Sequence, residues 1–458
     1  MTVQTLKKVI ICFLFCVFVS EIQAQVFAAG EGHSLSICDD ARIKAWGRNN
    51  RGQLGDGTTT DSNLPVQQSI LTNVIAVSAG SEYSLALKGN GTVWAWGDNS
   101  RGQLGIGNNV DSPNPVLVNG LNNVVAISCG GFHSMALKSD GTVWTWGWNL
   151  FGQLGHSNYI DVNSPVQVPS LTGVAGISAG WNHSLVLKSM GAVIAFGDNG
   201  NGQLGIGNLN SNTCTPTTIV GFGNVAAVEA GGYHSLALKN NGSVYAWGAN
   251  SFGQLGNGTN SDANSPVNLD LLVGVIAVSG AGLHSFAIKS DSTLLAWGAN
   301  LNGELGIGTN ISSNVPLLVS TINPVVSVST GFSHSQAMDA NGNFFNWGTN
   351  SLGQLGIGQN TDSNIPVTPI DLCELSNFIV ESELESRLKI FPNPTSGVFL
   401  IDESFRNEAT SVSIFNLYGT LVYEGSTDKL IDISHLVGGV YLCQLMPSRL
   451  HSVKLFKY

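Results

Sequence analysis

Residues 74–105 read VIAVSAGSEYSLALKGNGTVWAWGDNSRGQLG, and their pattern decides the fold. Val74 to Ser78 is a short apolar run, Ser84 to Lys88 alternates, and Thr92 to Trp96 alternates again with β-branched and aromatic residues. A period of two puts successive side chains on opposite faces of a strand. Turn signals separate the runs: Gly80, the Asn90-Gly91 pair and the glycine-rich GQLG segment. A fourth extended piece follows Pro65 in the unit before, PVQQS. The reading is four short antiparallel strands with no helical period.

The pattern recurs. WGxNxxGQLG has its aromatic at Trp46, Trp96, Trp146, Phe196, Trp247, Trp297 and Trp347, at steps of 50, 50, 50, 51, 50 and 50. Upstream lies GxxHSLALK, with His33, Tyr83, His133, His183, His234, His284 and His334 at one position. Downstream lies a proline, from Pro65 through Pro115, Pro165, Pro216, Pro266 and Pro316 to Pro366. A four-stranded sheet repeated seven times describes a seven-bladed β-propeller. After Pro366 no VVAVS-like strand follows, while Gln25 to Gly30 aligns with the end of VIAVSAG. The expectation is that the N-terminal strand pairs into the last blade and closes the ring without exposed edges.

Composition agrees with a folded, export-type chain. Of 458 residues, 43% are hydrophobic and only 11% charged, against about a quarter charged in ordinary soluble chains. The 56 glycines carry no G-x-y period, so collagen is excluded. A net charge of −11 and no basic stripe argue against nucleic acid as a partner. Lys7 and Lys8, the apolar run Val9 to Val19 and the small-residue site at Ala24 form a secretory signal pattern over 1–24. That run is too short for a membrane span, and no later one is long enough. The mature chain keeps Cys38, Cys129, Cys214, Cys373 and Cys443. This sparse, odd set favours buried free thiols, with one optional bridge left unassigned.

These units resemble the regulator of chromosome condensation repeat family of seven-bladed propellers, over residues 25–373. Tyr83 for His, Phe196 for Trp, Glu304 for Gln, and Cys38 and Asp339 for Lys are the departures. Beyond an acidic linker at 374–387, residues 388–458 carry Leu388 to Thr395 (LKIFPNPT), strand-like runs at Val398 to Ile401 and Val412 to Phe415, and the terminal Lys454 to Tyr458. This segment reads as a small β-sandwich and resembles the type A sorting domain of the type IX secretion system of Bacteroidetes. The second resemblance implies type IX machinery as a partner. It places the product outside a Gram-negative cell, secreted or on the outer surface. The first implies a protein-binding module, with inhibition of a secreted enzyme such as a β-lactamase as one alternative. Exchange-factor-like action on a small GTPase and carbohydrate binding or adhesion are others.

Chemistry is sparse. The repeated histidines read as one structural hydrogen bond per blade, since Tyr83 replaces one of them and neighbouring blades hold them too far apart to share a metal. The GQLG segments lack the Lys-Ser/Thr of a phosphate loop. Asp61, Asp111, Asp161, Asn212, Asp262, Ser312 and Asp362, four residues before each proline, read as caps of their own turns. No catalytic set, metal site or cofactor is expected, and the chain is not read as an enzyme. Strand parity puts the GxxH turn and the WGxNxxGQLG turn on one face. There units three to five carry Phe132, Trp148, Phe151, Trp181, Tyr233 and Phe252, while units one and two carry Glu31, Arg48, Arg51, Glu82, Asp98 and Arg101. Interface hot spots are enriched in Trp, Tyr and Arg. The expected partner surface is therefore these aromatics with Arg48, Arg51 and Arg101.

Overall fold

The computed structural model describes residues 26–372 apart from 39, 40 and 69, and, further on, 390–391, 398–401, 411–416, 421–426, 431–434, 439–446 and 452–457. The chain divides into two compact units, residues 1–373 and 374–458. In the first unit, β1 (Phe27–Ala29), β2 (His33–Ile37), β3 (Ile43–Gly47) and β4 (Ser62–Gln67) form one antiparallel sheet in that order. Six more four-stranded sheets of the same order span 74–117, 124–167, 174–218, 225–268, 275–318 and 325–367. They are the seven blades of an all-β propeller.

Burial grades outward along each blade. The second strand is packed on both faces by neighbouring blades, so Tyr83–Lys88 is buried in all but its last residue. The fourth strand lies at the rim and is half-exposed throughout, as in Ser62–Gln67. The proline belongs inside this strand and does not precede it. An outer edge tolerates a residue without N–H, because that side of the strand needs no ladder partner.

Ring closure differs from the expectation. β1 pairs with β2, with Phe27 opposite Ser36 and Ala29 opposite Ser34, so the N-terminal strand is the innermost strand of the first blade. The last blade is complete without it, in residues 325–367. The turn at Gly30 to Gly32 is short enough to make a hairpin, whereas residues 68–73 cross to the next blade. Every blade is thus contiguous in sequence, and the ring closes through side chains and through backbone bonds between loops, Phe332 N to Gly30 O at 3.1 Å and Gly358 N to Asn63 O at 2.9 Å.

Those side chains form a staple whose serine half repeats at each seam and whose tryptophan half repeats at all but one, where Phe196 stands. Ser84 Oγ donates to the Gln53 carbonyl at 2.9 Å, and Trp96 Nε1 donates to the same oxygen at 2.8 Å. The closing seam has the same staple, from Ser34 and Trp46 to Gln354 at 2.8 Å each. Because the serine hydrogen is committed to the carbonyl, Ser84 accepts from His33 Nε2 at 2.9 Å, which fixes the protonated nitrogen. Equivalent pairs are His133–Ser184, His183–Ser235, His234–Ser285, His284–Ser335 and His334–Ser34. Tyr83 fills the seventh seam, donating to the His133 carbonyl, with its oxygen 3.1 Å from Ser134 Oγ, whose hydrogen goes to the Gln103 carbonyl at 2.8 Å. Each imidazole keeps a buried Nδ1 with no hydrogen-bond partner. Burial lowers five of these imidazoles to about 3 and His234 to about 4.

The seams differ in their apolar filling. Among the described residues, the seam between the first two blades buries ten hydrophobic residues and the next buries fourteen. The cluster at the closing seam is smaller, with Phe27, Trp46 and Phe344 buried and Met338 and Leu372 packed against them. Gln336 and Asn346 stand there, fully buried, at the register positions of Leu85 and Ala95. The Gln336 amide has no partner at either atom. Cys38 is disulfide-bonded, and its sulfur lies 3.4 Å from the Leu372 carbonyl. Cys129 and Cys214 are free thiols, as the sparse set suggested.

In the second unit, residues 390–391, 398–401 and 431–432 form one antiparallel sheet. Residues 421–426, 411–416, 439–446 and 452–457 form another, in that order. Among the described residues no helix is long and apolar enough to cross a membrane.

Candidate protein-interaction face

The loops of one face are built on two fixed parts. The Asn of WGxN organises the long loop from within: in the second blade, Asn99 Oδ1 accepts from Leu104 N at 3.0 Å, and its Nδ2 donates to the carbonyls of Asn108 and Val110. Asp111 accepts from Asn99 N at 2.9 Å, and Asp61 from Asn49 N at 2.7 Å. Those acidic positions therefore clamp the far end of the loop and do not cap their own turns. Their side chains are engaged by backbone N–H groups, and among the described residues no group of three His, Cys, Asp or Glu could hold a metal.

The second part is a belt of backbone hydrogen bonds between the short GxxH turns around the axis. Glu31 N reaches Gly80 O, Ser81 N reaches Gly131 O, Trp181 N reaches Gly232 O, and Phe332 N reaches Gly30 O, all at 3.1–3.3 Å. A Cβ at Gly232 would stand 2.4 Å from the Gly282 carbonyl, so only glycine permits this approach. The residue at the second turn position points at the axis. It is Glu31, Ser81, Gly131, Trp181, Gly232, Gly282 or Phe332. The two aromatics, from the fourth and seventh blades, meet over the channel mouth with centroids 4.9 Å apart.

From that plug an aromatic path runs outward. Trp181 meets Phe132 at 6.5 Å, Phe132 meets Trp148 at 5.9 Å, and Trp148 meets Phe151 at 5.4 Å, each nearly perpendicular. Edge-to-face pairs of this kind suit the quadrupoles of the rings. All five rings are half-buried. The long loops of the second and third blades also expose apolar side chains: Leu150 is 58% exposed, Ile160 68% and Val110 68%. The structure thus joins Phe132, Trp148, Phe151 and Trp181. Tyr233 and Phe252 are half-buried, and among the described residues no ring pair links them to the path. Burial and the nearby Asp198 carboxylate raise the Tyr233 phenol.

The charged sector adjoins the path. Arg48 pairs with Glu82 at 2.6 Å and lies 4.0 Å from Glu31. Arg51 pairs with Asp111 at 3.1 Å and with Glu82 at 3.7 Å, while Arg101 pairs with Asp161 at 3.8 Å. Asp111, with help from Asp98 and Glu82, raises the Arg51 guanidinium further. Arg101 also lies 5.5 Å from the Trp148 ring centroid, where the two sectors meet.

Fold and repeats define a propeller of the regulator-of-chromosome-condensation type. The chain matches the RCC1-like domain family over residues 17–285 and the RCC1 repeat over 291–338, and it belongs to the RCC1-like domain family. Residues 389–456 match the secretion system C-terminal sorting domain. Yeast Prp20 superposes with a TM-score of 0.65 at 24% identity, over 75% of this chain and 87% of that one. Human WBSCR16 gives 0.65 at 26% identity, over 71% of this chain and 93% of that one. Human Alsin is 66% identical over 32 residues, 7% of this chain. This chain therefore spans only 2% of the length of that relative.

Proposed function

We propose that this protein is a protein-binding propeller displayed outside the cell, engaging its partner through the face that carries the aromatic path. The supporting observation is the continuity of Phe151, Trp148, Phe132, Trp181 and Phe332, half-buried rings running from loop to axis. An apolar surface of this kind marks an interaction site in a soluble protein. The sorting domain supports handling by a type IX secretion apparatus. With removal of residues 1–24, the chain reaches the exterior or outer surface of a Gram-negative bacterium. Domain limits of 25–373 and 388–458, joined by a linker at 374–387, belong to this reading.

The test is capture from surface extracts of the native host, comparing the parent with Trp148→Ala and Trp181→Ala. Each variant should weaken the partner by roughly 2 kcal/mol or more, the size of a hot-spot loss. Melting temperature should change little. Variants that lose stability yet keep the partner would overturn the assignment of this face.

A further inference from the structure

Two residues of the first blade depart from the repeat together, and both turn to the end of the propeller. Five of the other blades end their second strand in a lysine: Lys88, Lys138, Lys188, Lys239 and Lys289. In three of them its ammonium stands over a ring of the third strand, at 5.8 Å for Lys88 and Trp94, 5.1 Å for Lys138 and Trp144, and 4.5 Å for Lys239 and Tyr245. The first blade has Cys38 and Lys44 at these two positions. Lys44 Nζ donates to the Asp371 carbonyl, and the Cys38 sulfur reaches the next carbonyl, that of Leu372, at 3.4 Å. The Leu372 side chain packs against the cluster of Phe27, Trp46 and Phe344. We propose that the disulfide partner of Cys38 is Cys373, and that this bridge closes the ring covalently from the first blade to the end of the seventh.

The reach is set by the backbone. Cys373 follows Leu372, so its Cα lies within about 6 Å of the Cys38 sulfur. A disulfide holds its two Cα atoms about 4.4–6.8 Å apart, so this neighbour is placed to supply the second sulfur. The other cysteines are elsewhere. Cys129 and Cys214 are free thiols, Cys12 and Cys16 stand in the signal segment, and Cys443 belongs to the second unit.

The bridge falls where the ring needs it. No strand crosses the closing seam, because every sheet is contiguous in sequence. Its apolar cluster is small, and the buried Gln336 amide there has no partner. A cross-link between residues 38 and 373 spans all seven blades and restricts the unfolded chain. Both ends lie in the first unit, so a cut in the linker at 374–387 leaves the clasp in place.

Formation breaks two S–H bonds and makes one S–S bond. The Cys38 thiolate, on a half-buried residue, attacks the disulfide of an oxidant and releases its first thiol. The Cys373 thiolate then displaces the second thiol from the mixed disulfide. Two electrons pass to the oxidant, whose two sulfurs take up the two protons. A dithiol oxidoreductase of the cell envelope is the oxidant by class, and glutathione disulfide replaces it in vitro.

The full chain is oxidised with glutathione disulfide, blocked with iodoacetamide and digested without reduction. Mass spectrometry should find one cross-linked pair, Cys38 with Cys373, and alkylated Cys129, Cys214 and Cys443. Cys373→Ser should leave Cys38 open to alkylation, whereas Cys443→Ser should keep the cross-link. On a denaturing gel without reductant the parent and Cys443→Ser should migrate faster than Cys373→Ser, because the closed loop makes the denatured chain more compact. Reductant should abolish that difference. It should also lower the melting temperature of the parent by several degrees and leave that of Cys373→Ser unchanged. A Cys38 peptide linked to Cys443 or to a second Cys38, an alkylated Cys38 in the oxidised parent, or a reductant-sensitive melting temperature in Cys373→Ser would overturn the proposal.

Discussion

Lowering the pH from 7.5 to 5.5 should remove about 6 kcal/mol from the stability of the propeller. Six imidazoles are buried neutral, five lowered to about 3 and His234 to about 4. In the unfolded chain they titrate near 6.5. A proton on Nδ1 would be a buried donor without an acceptor, which is why folding holds the rings neutral. Their stabilisation is present above pH 6.5 and is lost as the pH falls, because the unfolded state binds protons the folded state refuses. Each group loses about 1.4 kcal/mol over this interval, so the six together lose about 8. Glu229 works in the opposite sense. Its carboxyl, half-buried on the innermost strand of its blade beside Ser178, is pushed up to about 7 and takes a proton in the folded state first. It returns about 2 kcal/mol. A net loss of this size compares with the whole stability of an ordinary domain, about 5–15 kcal/mol. Urea unfolding followed by tryptophan fluorescence measures it cleanly, since all ten tryptophans lie in the propeller, from Trp46 to Trp347. Proton uptake on unfolding at pH 5.5 should approach five. A midpoint that stays constant or rises between pH 7.5 and 5.5, or an uptake of two or fewer, would refute the neutral imidazole ring.

Gly120→Ala and Gly105→Ala separate backbone strain from steric strain. Both have positive φ, but a Cβ at Gly120 meets nothing within 4 Å, whereas at Gly105 it stands 2.6 Å from Trp146 Nε1. The first should cost about 1–2 kcal/mol and the second about 1–3 kcal/mol more, read as a difference in urea midpoint. Ser84→Ala strands His33 Nε2, while the Gln53 carbonyl keeps Trp96 Nε1, and it should cost about 1–3 kcal/mol, with no loss of partner affinity. Reduction of the Cys38 disulfide should lower the stability of the propeller by about 2–5 kcal/mol, seen as a reductant-dependent melting temperature. Without reductant, iodoacetamide should label Cys214 well before Cys129, whose thiol burial pushes up to about 12. Mass spectrometry of the labelled peptides checks that order.

The repeat made the architecture readable, because three marks kept one step through seven units. Periodicity has no phase, however. A cyclic pattern of 50 residues can be cut anywhere, so the spacing alone could not say whether Phe27–Ala29 began the first blade or finished the last. What decides is a length: three residues at Gly30 to Gly32 allow a hairpin, whereas residues 68–73 must travel to the next blade. The acidic positions before each proline were rightly read as structural, yet their partners lie about twelve residues upstream at the Asn of WGxN. Phe132, Trp148, Phe151 and Trp181 could be chosen from sequence because they vary where the fold imposes no residue. Phe332 was missed, although its turn position also carries Trp181 and otherwise only Glu, Ser and Gly. Nothing local announces that these two residues face each other, since only the circular arrangement brings the fourth blade opposite the seventh. The identity of the partner is not written in the repeats at all, because the repeats record only what all blades share.

Contiguity of the blades makes the chain a string of interchangeable cassettes. In a propeller latched by a strand borrowed from the far terminus, excising one unit also shifts the sequence neighbours of the latch. Here a cut in any crossover, such as residues 68–73 or 119–123, falls between complete sheets. Removal or duplication of one unit of about 50 residues leaves no strand without its sheet. The serine-to-carbonyl bond recurs at all seven seams, so a newly inserted cassette finds the acceptor carbonyl and the serine it needs. Joining the ends and opening the ring at another crossover likewise preserves all seven sheets. Unit duplication and circular permutation are thus changes of bookkeeping in the gene more than rearrangements of the protein.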